Sequence, residues 1–512
     1  MNRKKAAIKN SGIGGISQLI SLVFQIVNRT IFIQYLGVEL LGLSSTFISL
    51  LNALSLAELG FQTAIVYSLY KPLNENNRSR INKIVNIFKI VYRWIGFIFI
   101  FASIGCLPFL KYIISDIHIT SSVYIYFMLL AINSACTYFL AYKRTLLYAD
   151  QRDYISKLID VIFNILFSIA RIIVVVLYQD YIIYLALQIA QTIFSNLLVH
   201  FYCNKMYPYL HAEKLDREIF SKVWGDVKNV FASKVAGYVY SSTDSLVISA
   251  FISTVSVGFL VNYTIITSNI KTLTQSLLAP ITPIIGRMLA NSDEHNDKQK
   301  VFYLYTHIRF ILASVLLIPT TILIRDVIIA WVGEGYVLSN VVVLFLIADL
   351  YIHLVQGVCI DYIYGNGLFK YDKYIAIIGA VMKISLSISM AFIWGLEGVV
   401  LSTAITQVFY WISRSIIVFK FCFPQQRKDF LVYWGKNIYS ILTFILVYTV
   451  SVVAYSKIEL ENFFVKFILG GILCELIFIF IYFIMYSKSA EHRQLFSFIR
   501  KKRSTEKLKV YK

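Results

Sequence analysis

Charge is what this sequence has least of. Only 15% of its 512 residues are Asp, Glu, Lys or Arg, against about 25% in an ordinary soluble protein. Acids are scarcer still, 28 against 48 basic residues, for a net charge of +20. That surplus does not describe a nucleic-acid binder, because the basic residues punctuate apolar runs instead of covering a polar domain. The six cysteines (Cys106, Cys136, Cys203, Cys359, Cys422, Cys474) lie in or beside those runs without a CxxC spacing. This pattern excludes a disulfide framework and a thiolate metal site. No GxxxxGK[ST] stretch occurs, so an ATP-driven pump would need its motor on another chain. The N-terminus, "MNRKKAAIKNSGIGGISQLISLVFQIVN", lacks a small-residue cleavage site and is expected to remain as a first helix.

What the sequence has in abundance is apolar length. Hydrophobic residues make up 58% of it, and its mean hydropathy is +0.69. The apolar runs are roughly 20 residues long, the length a helix needs to cross a bilayer. Fourteen spans are expected: 11–33, 42–69, 94–110, 122–142, 158–178, 182–203, 229–252, 257–285, 304–324, 341–364, 375–394, 398–419, 437–456 and 467–486. Runs this long that rarely alternate are helices and not barrel strands. The fold class is therefore all-α, a polytopic membrane protein.

The connections alternate in charge. One side holds Arg3, Lys4, Lys5 and Lys9, then 71–93, 143–157, 204–228, 286–300, 365–374, 420–436 and the basic tail from 488. The other side holds only Lys111, Arg325, Lys457 and Lys466. By the positive-inside rule both termini face the cytoplasm, which requires an even number of spans. No connection on the sparse side exceeds roughly the 16 residues of 325–340, too few for an external catalytic domain.

An internal repeat shows itself by its offset. Gly42 and Gly258, Tyr148 and Tyr364, Gln191 and Gln407, and Pro208 and Pro424 are each 216 positions apart, at matching places in the helix order. Two parallel six-helix lobes related by a pseudo-twofold axis along the membrane normal follow, at 1–210 and 211–425. Two further helices (426–487) and a basic cytoplasmic tail (488–512) stand outside the repeat. Carriers built this way bind substrate near the midplane and rock one half against the other. Pro280, Pro283 and Pro319 interrupt spans eight and nine and are expected to bend them, as bends for rocking or as fixed kinks.

Ionisable groups inside the spans include Arg29, Arg171, Lys234, Lys271, Arg309, Lys383 and Arg414, with Glu58, Asp160, Asp244, Asp349 and Asp361. A charge at a helix centre costs on the order of 2.5–3.5 kcal/mol on insertion scales, so it faces a cavity or a partner. Asp160, Lys234, Arg309, Asp361 and Arg414 lie near span ends and are expected to snorkel to the interface. The deeper groups fall on helical stripes: Ser17, Ser21, Gln25 and Asn28 in span one, matched by Ser233, Gly237, Ser241 and Asp244 in span seven. Span two carries Ser55, Glu58 and Gln62, and span eight carries Lys271 and Thr274, with Thr264, Thr267, Ser268 and Gln275. Glu58 is expected to face Lys271 across the pseudo-twofold axis, as part of a working site or as an ion pair that pins two helices. Asp349, His353 and Gln356 share a face of span ten, where a carboxylate one turn from an imidazole suits a proton site or a structural hydrogen bond.

The stretch "RTIFIQYLGVELLGLSSTFISLLNALSLAELGFQTAIVYSLYKPL" (29–73) resembles bacterial Wzx-type polysaccharide flippases of the multidrug/oligosaccharidyl-lipid/polysaccharide exporter superfamily. "TDSLVISAFISTVSVGFLVNYTII" (243–266) looks like the start of that family's second lobe. The resemblance implies a non-enzymatic carrier in the bacterial cytoplasmic membrane. It would move an undecaprenyl-pyrophosphate-linked oligosaccharide to the outer leaflet by alternating access. Arg29, Arg171, Lys271 and Lys383 would meet the anionic substrate, and Glu58, Asp244, Asp349 and His353 would couple transport to protons or sodium. No cofactor is expected beyond that coupling ion, and no nucleic acid. Expected partners are the lipid-linked oligosaccharide, anionic lipids at the cytoplasmic face and a polysaccharide polymerase. A drug/cation antiporter and a lipid II flippase would share the fold. A polymerase or membrane glycosyltransferase would show a large external loop or paired acids in a cytoplasmic site, and neither is present.

Overall fold

A computed structural model describes residues 3–55, 61–114, 121–140, 142–150, 152–211, 220–221, 224, 242–278, 295–366, 368–423, 427–460 and 462–497, with side chains from residue 20 onward. Among them every element is helical. The principal helices are α1 (Arg3–Leu54), α2 (Phe61–Asn74), α3 (Arg78–Cys106), α4 (Leu110–Ile113), α5 (Ser121–Leu140), α6 (Tyr142–Ala149) and α7 (Asp153–Tyr178). They continue with α8 (Tyr181–Met206), α9 (Thr254–Leu278), α10 (His295–Val332), α11 (Asn340–Gly365), α12 (Phe369–Phe421), α13 (Arg427–Tyr455) and α14 (Phe463–Tyr486). A helical run at 242–251 precedes α9.

Ten of the described helices are long and apolar enough to cross a membrane. Two of them turn a corner and supply two crossings each. In α1 the corner is Gly37, with φ 84° and ψ 166°; in α12 it is Gly395, with φ 57° and ψ −131°. Both backbone conformations are open to glycine and strained for any residue with a Cβ. The expected eight-residue connection at 34–41 is thus a one-residue turn with helix on either side. The described helices thus supply twelve crossings, and α9 with the helical run before it falls where the seventh and eighth expected spans lie.

Helix starts are set by local chemistry. Asp180 Oδ1 accepts the N–H groups of Ile182 and Ile183 at 2.7 and 3.1 Å, and Asn462 does the same for Phe464 and Val465. These side chains satisfy amide groups that would otherwise be orphaned at a helix N-terminus. Pro319 is carried inside α10 without a break, while Thr320 and Thr321 donate their hydroxyls to the Leu316 and Leu317 carbonyls at 2.6 Å. Pro280 and Pro283 lie outside the described residues.

The chain packs as two compact units, Met1–Phe259 and Leu260–Lys512. In the first, α1 and the start of α9 touch through backbone. A Cβ added to Gly42 would stand 1.9 Å from the Thr254 carbonyl oxygen, and one added to Gly258 would stand 2.7 Å from that of Val38. The two glycines that mark the repeat are therefore the pair that lets these helices meet. In the second unit, Phe302, Tyr362, Phe419, Phe423 and Tyr433 form an aromatic core, and Trp411 donates its indole N–H to the Tyr433 hydroxyl at 2.7 Å.

Candidate functional site

In the second unit the i, i+4, i+7 spacing on α11 points Asp349, His353 and Gln356 along one face. Lys271, from α9, donates to Asp349 Oδ2 at 3.0 Å, and Asp349 is buried. The cation expected at the substrate and the acid expected at the coupling ion are thus one ion pair. Glu58, the partner expected for Lys271, lies outside the described residues. From α12, Gln407 donates through Nε2 to His353 Nδ1 at 3.4 Å and accepts through Oε1 from Gln356. An amide nitrogen only donates, so His353 Nδ1 accepts and the imidazole is neutral with its proton on Nε2. The hydroxyls of Thr264, Thr267, Ser268 and Thr274 bond carbonyls three or four residues back in their own helix, so that stripe needs no cavity to satisfy it.

The charges near span ends are paired instead of snorkelling. Arg309 is 8% exposed and donates to Asp361 Oδ2 at 2.5 Å, the Tyr305 hydroxyl at 2.7 Å and the Leu354 carbonyl at 2.8 Å. Its guanidinium occupies the space where Gly357 has no side chain. Arg414 bonds Asp372 at 2.8 Å. Asp160 receives a bidentate clamp from Arg144 at 2.7 and 2.8 Å. A partner on a neighbouring helix saves each side chain the stretched conformer that snorkelling demands, and it satisfies the charge inside the protein. Lys234 lies outside the described residues.

The remaining site residues are distributed over both units. Lys383 is fully buried in α12, donating to the hydroxyls of Ser402 at 3.1 Å and Thr403, while Ser387 joins Ser402 at 2.8 Å. In the first unit Arg171 is 9% exposed, bonds Phe167 O and Ser168 Oγ at 3.3 Å, and lies 5.5 Å from the centre of the Tyr184 ring. Arg29, on α1, is partly buried. Asp244 is half-buried on the helical run before α9.

Sequence reasoning missed Arg144, because it treated 143–157 as a loop. It lies on α6 and, with Asp160, lines a polar cavity of about 500 Å³ that Ser21, Asn164, Gln191 and Asn196 also reach. Gln191 and Gln407, matched by the repeat, each sit in a polar cluster of their own unit. Glu475, on α14, is a further intramembrane acid outside the repeat, where the stripe search did not look. Among the described residues no group of three or more His, Cys, Asp or Glu is placed to hold a metal.

No protein-family model matches the chain, and no curated protein matches it by sequence. Solved structures do. A lipid II flippase MurJ in an inward closed conformation matches with a TM-score of 0.68 at 16% identity, over 92% of this chain and 98% of that one. An inward-facing multidrug resistance MATE family transporter of the MOP superfamily matches with a TM-score of 0.60 at 13% identity, over 79% of this chain and 96% of that one. A mutant of the Vibrio cholerae MATE transporter VcmN matches with 0.53 at 13% identity, over 81% and 96%. At these identities the likeness is one of fold, that of multi-pass membrane carriers.

Proposed function

We propose that the protein is a flippase that carries a lipid-linked oligosaccharide, joined through a diphosphate, across the bacterial cytoplasmic membrane. It does so by alternating access, with both termini in the cytoplasm and without covalent chemistry. The observation that carries this reading is the extent of the fold match. The lipid II flippase covers 92% of this chain, whereas the two MATE transporters cover 79% and 81%. This favours a lipid-carrying architecture over a drug/cation antiporter. The charged groups agree: a diphosphate calls for Arg and Lys at depth, as at Arg29, Arg171, Lys271 and Lys383. The Lys271–Asp349–His353–Gln407 network offers a place where proton or sodium coupling acts on one of those cations.

The test is to delete the gene and identify, by mass spectrometry of extracted lipids, what accumulates on the cytoplasmic side. Accumulation of a polysaccharide repeat unit on undecaprenyl diphosphate supports the reading. Accumulation of lipid II reassigns the cargo, and an unchanged lipid pool with increased sensitivity to organic cations returns the antiporter.

A further inference from the structure

At the end of the first unit where the basic connections lie, α3, α6, α8 and the segment after α8 enclose a second cavity, of about 170 Å³. Lys89, Lys143, His200 and His211 line it with Asn82 and Asn86, and among the described residues no carboxylate does. Lys143 is 5% exposed, and its ammonium donates to His200 Nε2 at 3.1 Å and to Asn204 Oδ1. An ammonium has no lone pair to offer, so His200 Nε2 accepts and the ring proton sits on Nδ1. That Nδ1 is buried and has no hydrogen-bond partner. A buried N–H without an acceptor is an unsatisfied donor that native proteins rarely keep.

The rest of the wall is preformed. His211 Nδ1 donates to the Tyr209 carbonyl at 2.9 Å, which leaves its Nε2 to accept from Asn82 Nδ2 at 3.3 Å. Asn82 Oδ1 in turn takes the His211 backbone N–H at 3.0 Å and pins the chain after α8 across α3. Lys89 is half-buried on the same wall and makes no ion pair with any described residue. Burial, and then the neighbouring Lys89 charge, hold the Lys143 ammonium below its usual pKa. An anion beside the two ammonium groups would offset both costs.

We propose that this cavity binds a phosphate-class oxyanion, with Lys89 and Lys143 supplying charge and His200 Nδ1–H a directed donor. Its volume admits a phosphate or diphosphate and excludes a sugar chain. The ligand is a soluble phosphate or the headgroup of a membrane lipid, which share this chemistry. The site is separate from the Lys271–Asp349 network and does not depend on the cargo proposed above.

The full-length protein is purified and equilibrium dialysis is run with radiolabelled orthophosphate and pyrophosphate. Thermal melting is followed in parallel in nanodiscs of phosphatidylcholine with and without phosphatidylglycerol. Lys143→Gln removes a buried bond to Asn204, so Lys89→Gln, at a half-buried position without an ion pair, is the deciding variant, with His200→Asn beside it. The expected result is saturable binding that Lys89→Gln and His200→Asn each weaken by about tenfold or more, as losing one charge-assisted bond does. If the soluble anions do not bind but phosphatidylglycerol raises the melting temperature of the wild type and not of the variants, the oxyanion is a lipid headgroup. No response to either source, or a response that both variants retain in full, overturns the proposal.

Discussion

Replacing Lys271 by methionine keeps its length and removes its charge, leaving the Asp349 carboxylate without its ammonium. The Asp349 side chain is 10% exposed and that of Lys271 29%, so the pair is mostly but not fully withdrawn from water. Deleting one member of a buried pair costs about 3–5 kcal/mol, because the survivor keeps its desolvation penalty and loses its attraction. The partial exposure of Lys271 argues for the lower end, near 3 kcal/mol. A unit of this size shifts its melting temperature by ~2–4 °C per kcal/mol, so Lys271→Met should melt roughly 6–12 °C below the wild type. The double variant Lys271→Met with Asp349→Leu removes both charges and should recover most of that loss. Melting of purified protein by tryptophan fluorescence measures both, and export in a deletion strain gives the functional arm. If the double variant is stable but dead, the charges serve transport; if it is stable and active, they only pin α9 to α11. A single variant that melts with the wild type, or a double variant that melts lower still, would refute the reasoning from burial.

Gly42→Ala should separate α1 from α9, because the added Cβ meets a backbone carbonyl that cannot rotate away; a loss of melting temperature larger than that of a helix-surface Ala substitution is the measure. Gly357→Ala puts its methyl 2.0 Å from Arg309 Nη1 and should displace the guanidinium from Asp361, with a cost of roughly 2–3 kcal/mol read by the same melt. The tail docks through His492, whose Nδ1 bonds the Tyr482 hydroxyl that also bonds His307, and through Glu491, which bonds Lys436. Burial lowers the His492 pKa; burial raises that of Glu491, but the Lys436 hydrogen bond and charge outweigh it and hold it low. Both pKa values are depressed on folding, so docking is full above the free imidazole value of about 6.5 and weakens as pH falls below it. Hydrogen exchange of 488–497 should therefore quicken in acid, and the His492→Phe variant should lose the upper part of that dependence. Single cysteines at Asn76 and Glu334, both exposed, should label from opposite sides of the membrane; labelling of both in intact cells would sink the alternating topology.

Individual residues show where the reading of sequence stopped. The stripe of Asp349, His353 and Gln356 was legible because helical periodicity is a local property, and the structure keeps the three on one face. That Lys271 bonds Asp349, 78 positions away, was not legible, because the repeat offset relates equivalent positions and says nothing about which helices become neighbours. Arg309, Asp361 and Asp160 were assigned to the interface on depth alone. Depth does not reveal that Gly357 leaves room for a guanidinium, or that α6 brings Arg144 against Asp160.

The sequence by itself determined that this is a polytopic all-α membrane protein. Bilayer thickness and the need to satisfy every backbone polar group inside lipid leave an apolar run of about 20 residues only one form. The Gly42 and Gly258 repeat was also visible there, though not its use as a point of backbone contact. Only the tertiary structure decided which charges are neutralised by which, that Arg171 lies over Tyr184, and that Lys89, Lys143 and His200 close around one cavity. Those arrangements depend on the packing of helices far apart in the chain, where a difference of one helical turn changes every partner.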